Sequence, residues 1–137
     1  MTNQELLELS KNLITIEELF LIKDSAETIT EKVFYAIRKN LRILKPFNDE
    51  AESFRKDLTD AAKKAVKFDE TKTGDKDYVE RINNDIKIYL EKKETQEEYD
   101  AFLKKEVEIS LYKISTEDLD ECKLSSRAVF YLEKYLC

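Results

Sequence analysis

Histidine and tryptophan are absent from this 137-residue chain, and glycine and proline occur once each, as Gly74 and Pro46. Without histidine, the side chain that most often moves protons near neutral pH and ligates transition metals is missing, so serine triads and cysteine–histidine dyads are excluded. One glycine and one proline are too few for the tight turns and positive-φ positions on which all-β folds and phosphate-cradling loops depend. No apolar run reaches membrane-spanning length, and the opening Thr2-Asn3-Gln4-Glu5 does not resemble a signal peptide, so a cytoplasmic protein without a membrane span is expected. Cys122 and Cys137 lack a framework of spacings and read as free thiols.

What is present is charge and apolar periodicity. Hydrophobic residues make up 42% and charged residues 39%, with a net charge of −6. That is too apolar for disorder, and too charged for most of each helix to be hidden. The expectation is a single helical domain over residues 1–137, mainly α. It has one long helix, kinked or divided at Pro46, and a minor two-stranded β ribbon.

Thr2 to Glu5 has the form of a capping box, and Leu6, Leu9 and Leu13 follow at helical spacing, predicting a first helix over about residues 3–13. The run Leu19-Phe20-Leu21-Ile22 reads as a strand or extended linker. From Ser25, a stripe of Ile29, Val33, Ile37, Leu41 and Leu44, widened by Ala36 and Asn40, predicts the strongest helix. The stripe resumes after Pro46 as Phe47, Ala51, Phe54, Leu58, Ala62 and Ala65.

Residues 69–76 form the main loop, and Tyr78 to Leu90 a helix. Thr95-Gln96-Glu97-Glu98 is a capping box for the next, and Ser115 and Ser125 cap the last two. Val107, Ile109 and Leu111 alternate with Glu106, Glu108 and Ser110, the period of a half-buried strand whose expected partner is residues 18–23.

Charge singles out one region. Residues 25–68 carry ten cations and seven anions, while each of the stretches 1–24, 69–105 and 106–137 has a net charge of −3. Within this basic island Arg38, Arg42 and Lys45 recur at i, i+4 and i+7, with Tyr35 on the same strip. These four are the candidate partner-binding residues, facing an acidic partner or a phosphate backbone. The bland alternative is a solvated face whose long stems shield the core.

Overall acidity opposes general nucleic-acid binding. Glu17/Glu18, Asp49/Glu50, Glu97/Glu98 and Asp118/Asp120 are adjacent carboxylates of the kind that bind Mg²⁺ or act as acid and base, but thirty acidic residues produce such neighbours by chance. No metal, cofactor or catalytic residue is expected.

Phe34-Tyr35-Ala36-Ile37-Arg38-Lys39-Asn40-Leu41-Arg42-Ile43-Leu44, preceded by the apolar run at 19–22 and followed by a long charged helix, resembles small uncharacterised proteins of bacteriophages infecting Gram-positive bacteria, the DUF1617-type family. There a basic-Asn-Leu step, here Lys39-Asn40-Leu41, sits near the start of a long helix. The likeness continues over Tyr99 to Ser115 and the following turn, with Glu106-Val107-Glu108-Ile109 and Thr116-Glu117-Asp118-Leu119. It implies a phage or prophage origin and a non-enzymatic role, in the cytoplasm of the host bacterium. Pro46 departs from the continuous helix of that pattern.

The leading expectation is a non-enzymatic interaction protein of phage assembly or physiology. Its partner is another protein, of phage or host, engaged through helical surfaces, with the heptad-like stripe offering homo-oligomerisation as well. The alternative is an inhibitor of a host defence system or host enzyme, acting by charge complementarity. A third reading, an enzyme or a binder of a small nucleotide, needs a pocket lined by Arg38, Arg42 and Lys45 with an aromatic such as Tyr35.

Overall fold

The computed structural model describes residues 1–22 and 25–137, and over these the chain is mainly helical, with no strand. None of the helices among the described residues is long and apolar enough to cross a membrane. By contact the chain gathers into two compact units, residues 1–48 with 106–137, and residues 49–105.

In the first unit, α1 (Asn3–Leu19) opens on the reciprocal capping box of Thr2 and Glu5. The Thr2 hydroxyl accepts from the Glu5 amide at 3.1 Å, and the Glu5 carboxylate accepts from the Thr2 amide at 3.3 Å. Leu6, Leu9, Leu13 and Ile16 follow at spacings of three and four, and all are buried. Ile16 continues the stripe and carries the helix beyond residue 13. The run at 19–22 is therefore not a strand. Leu19 ends the helix, and the amides of Phe20, Leu21 and Ile22 donate to carbonyls three residues back, a tightened last turn. Lys23, the end of the expected strand partner, lies outside the described residues.

The long helix α2 (Glu31–Ala65) starts later than Ser25, after Thr30, whose hydroxyl accepts from the Val33 amide at 3.3 Å. It runs unbroken through Pro46. An interior proline costs about 3 kcal/mol. Each large apolar residue buried contributes about 1.5–3 kcal/mol, so Val33, Ile37 and Leu44, all fully buried, outweigh it. Part of the stripe that suggested a coiled-coil face is consumed here: Ile29, Val33, Ile37 and Leu44 lie in the first unit's core.

Residues 106–115 form an irregular strap, not a strand of a ribbon. The alternation holds for burial: Val107, Ile109 and Leu111 pack half-buried against the core, while Glu106, Glu108 and Ser110 are exposed. With residues 18–19 used by α1, the strap pairs only at its start, where Thr2 and Glu106 form an isolated antiparallel bridge, and among the described residues separate groups bind the backbone beyond it. The Val107 amide donates to the Met1 carbonyl at 2.8 Å, Tyr112 to the Asn40 side chain at 2.6 Å, and Ile114 to the Leu136 carbonyl at 2.6 Å. The last of these satisfies a carbonyl that ends a helix without an intrahelical donor.

The helices α5 (Thr116–Asp120) and α6 (Ser126–Leu136) are capped by Ser115 and Ser125. Leu132 and Leu136 are fully buried, and α6 packs against α1. Between them, Thr28 and Lys123 form an isolated antiparallel bridge.

The second unit holds the latter part of α2 with α3 (Lys76–Leu90) and α4 (Lys93–Lys104), around buried Ala51, Ala62, Tyr78 and Ile82. Phe54 stacks on Phe102 with ring centres 4.4 Å apart. The C-terminus of α2 closes in a Schellman motif. Phe68 donates to the Lys63 carbonyl at 2.9 Å and Lys67 to that of Lys64 at 3.3 Å, with Lys67 in the left-handed region at φ 57°. Gly74 is not at positive φ. The expected capping box at Thr95 serves differently. Helix α4 begins at Lys93, and Thr95 and Gln96 donate to the Tyr89 and Leu90 carbonyls that end α3, at 3.3 and 2.8 Å.

Candidate anion-binding cleft

Lys32, Tyr35, Lys39 and Arg42 recur at spacings of three and four along α2 and so share one face. Opposite them stand Tyr112, Lys113 and Ile114 of the strap and Asp118 of α5. With Ala36 and Arg38 they line a cleft of about 390 Å³, within the size range of small-ligand sites.

A buried amide holds the two walls together. Asn40 is completely buried, its carboxamide Oδ1 accepts from the Tyr112 amide, and its Nδ2 donates to the Tyr112 carbonyl at 2.9 Å and to the Ala36 carbonyl at 3.1 Å. Tyr112 is thereby fixed where the Lys39 ammonium lies 4.4 Å from its ring centre, a cation–π contact.

Five cations, Lys32, Arg38, Lys39, Arg42 and Lys113, line the cleft against one carboxylate, Asp118. The Lys32 ammonium lies 3.2 Å from Asp118 Oδ1. A hydrogen bond with Ser115, and then the Lys32 ammonium, hold the Asp118 carboxyl below its ordinary range. Arg38 lies over the Phe34 ring at 5.7 Å, and its Nε is 3.9 Å from Glu17, the outer limit of an ion pair. Among the described residues Arg42 is paired with no carboxylate. The cleft thus keeps a positive excess inside a chain of net charge −6.

A second, shallower groove of about 320 Å³ lies on the other side of the Arg38–Arg42 ridge, lined also by Ile14, Glu17, Leu41, Lys45 and Asn48. Of the four residues picked out by the sequence, Tyr35, Arg38 and Arg42 come together in the cleft. Lys45 instead joins Arg38 and Arg42 in the groove. Sequence reasoning missed Lys32 and Lys39, although their spacing from Tyr35 and Arg42 was a readable signal. It also missed Tyr112, Lys113 and Asp118, which only the tertiary fold brings there.

Asp118 is engaged by Ser115 and Lys32, and among the described residues no three acidic or cysteine side chains gather as a metal set. Both cysteines are free. Burial, and then the Glu133 carboxylate, push the Cys137 thiol up, the reverse of an activated nucleophile. Comparison of the chain with protein-family models, curated proteins and solved structures found no match.

Proposed function

We propose that this chain is a non-enzymatic interaction protein that holds an acidic segment of a partner protein in the cationic cleft on α2. The observation that carries this reading is the gathering of Lys32, Arg38, Lys39, Arg42 and Lys113 around a single carboxylate. Each exposed ion pair contributes only about 0.2–1 kcal/mol, so binding requires several at once, and a cluster provides them. The cluster also steers an acidic partner in and speeds its association. Asp118, kept ionised by Ser115 and Lys32, acts there as an electrostatic partner and not as a proton donor near neutral pH.

The resemblance of residues 34–44 and 99–119 to phage proteins supports an origin in a phage or prophage, with virion assembly as the setting. The inhibitor alternative needs carboxylates concentrated on one face. Among the described residues exposed carboxylates occur on each helix from α1 to α6, for example Glu8, Glu52, Glu80, Glu98, Glu117 and Glu133, whereas the cations gather in one cleft, which is the observation that favours the acidic-partner reading.

Fluorescence anisotropy with a labelled Glu-Gly-Glu peptide at low salt tests the proposal. Wild-type protein binds it with an affinity that falls as salt rises. Arg38→Glu with Arg42→Glu keeps the fold and weakens binding at least about tenfold. Equal affinity in the double variant removes the cleft from the function.

A further inference from the structure

The cleft and the groove share Arg38 and Arg42, so they form one cationic surface that follows α2 from Lys32 to Lys45. From Lys32 to Lys45 the helix rises about 20 Å. That is the reach of about six residues of extended chain. Arg38 and Arg42, four residues apart, are separated along the axis by about 6 Å. Alternate side chains of an extended peptide, which point the same way, are about 6.6 Å apart, so two such carboxylates meet the two guanidiniums in register.

The ends of the surface differ. In the cleft the exposed faces of Tyr35 and Tyr112 flank Lys32, Lys39 and Lys113, while in the groove Ile14 and Leu41 give an apolar wall beside Lys45. Ile14 is 46% exposed, an apolar side chain beside the cationic ridge. A single-stranded nucleic acid also presents regularly spaced anions, and its bases stack on tyrosines. Beyond the ridge, however, the rest of the chain is acidic and repels a longer polyanion.

We propose that the partner's segment is an extended peptide of about six residues that lies along α2 from the cleft into the groove, with carboxylates on alternate residues and an apolar residue against Ile14 and Leu41. This rests on the acidic-partner reading of the cleft and adds the length, pattern and direction of what binds.

Two labelled peptides separate the two claims: Glu-Gly-Glu, which fills the cleft and reaches the ridge, and the hexapeptide Gly-Glu-Gly-Glu-Gly-Leu, which spans both and keeps its Leu on the same face as its carboxylates. Wild-type protein is expected to bind the longer about tenfold more tightly. Ile14→Ser and Lys45→Gln, both at exposed positions in the groove, are expected to abolish that gain, and Ile14→Ser alone, which changes no charge, leaves the tripeptide affinity within about twofold. Equal affinities for the two peptides, or a gain that survives both substitutions, overturn the extended-segment inference and leave the cleft reading standing. Failure of both peptides to bind overturns both. Displacement of the hexapeptide by an oligothymidylate of equal charge at lower concentration overturns the peptide in favour of single-stranded nucleic acid.

Discussion

The carboxamide of Asn40 and the backbone of Tyr112 close a two-hydrogen-bond ring, amide to Oδ1 at 2.6 Å and Nδ2 to carbonyl at 2.9 Å. The side chain thus offers the strap the donor and acceptor that a neighbouring strand would have offered. Its second Nδ2 hydrogen goes to the Ala36 carbonyl, so the amide is satisfied although completely buried. One polar residue on the apolar stripe of α2 therefore docks the strap and, through Tyr112, shapes the cleft.

Asn40→Leu leaves the Tyr112 amide and carbonyl without these partners. An unsatisfied buried polar group costs about 1–3 kcal/mol, so the variant should lose about 2–4 kcal/mol of stability in urea titration. Peptide affinity should fall with it, because Tyr112 is no longer held. An unchanged urea midpoint would show that the strap is kept in place by its ends alone.

Much of the architecture was legible wherever one local rule sufficed. Capping at Thr2, Ser115 and Ser125 and the stripe of Val33, Ile37 and Leu44 all follow from spacing. The errors came where a residue's partner lies far along the chain. Alternation at Val107, Ile109 and Leu111 reported correctly which side is buried, but not what binds the backbone. The answer there was Met1, Asn40 and Leu136, none of them in a strand. Over residues 19–22, four apolar residues carry no period, and only Ile16 signalled that the helix continues. For the cleft, the spacing along α2 marked one wall, while the opposite wall depends on a buried amide that the sequence shows only as a polar interruption of an apolar stripe.

Ile37 and Leu41 separate two environments on that stripe. Ile37 is completely buried in the core, so Ile37→Asp places an unpaired charge there and should unfold the protein, a loss above about 4 kcal/mol. Leu41 is half-buried and faces the groove, so Leu41→Asp should remain folded with a lowered melting temperature. Far-UV circular dichroism with thermal melts distinguishes the two.

Lys67 holds a backbone conformation that favours glycine, at φ 57° in the turn that closes α2. Lys67→Gly should raise stability by about 1 kcal/mol, because the left-handed strain of a side-chain-bearing residue is relieved. Gly74 has no positive φ and nothing within 4 Å of an added Cβ, so Gly74→Ala should also stabilise, by about 0.4–1 kcal/mol, through the unfolded state. Chemical denaturation of each variant measures both effects.

Asp118 gives acid stability a local component. Ser115 first, and Lys32 second, lower its carboxyl in the folded chain, so the ionised form favours folding. That contribution is fully present above the unfolded carboxylate value of about 3.9 and disappears as pH falls through the lower folded value. In Ser115→Ala the Asp118 carboxyl should titrate at higher pH, back towards its ordinary range, when followed by NMR. A titration midpoint that does not move would remove Ser115 as the principal cause.

Amide exchange separates a strap from a ribbon residue by residue. In a paired strand, alternate amides along the whole segment are bonded to the neighbour and protected together. Here the bonded amides are those of Val107, Tyr112 and Ile114, held respectively by a carbonyl, a carboxamide and the carbonyl of Leu136. These three should exchange slowly, and those of Glu108, Ile109, Ser110 and Leu111 fast, even though the Ile109 and Leu111 side chains pack on the core. Asn40→Leu should abolish protection at Tyr112 while Val107 and Ile114 keep part of theirs, because their acceptors lie elsewhere. Slow exchange at Ile109 and Leu111 as well would instead mean that a second strand, from this chain or from another copy, pairs with residues 106–112.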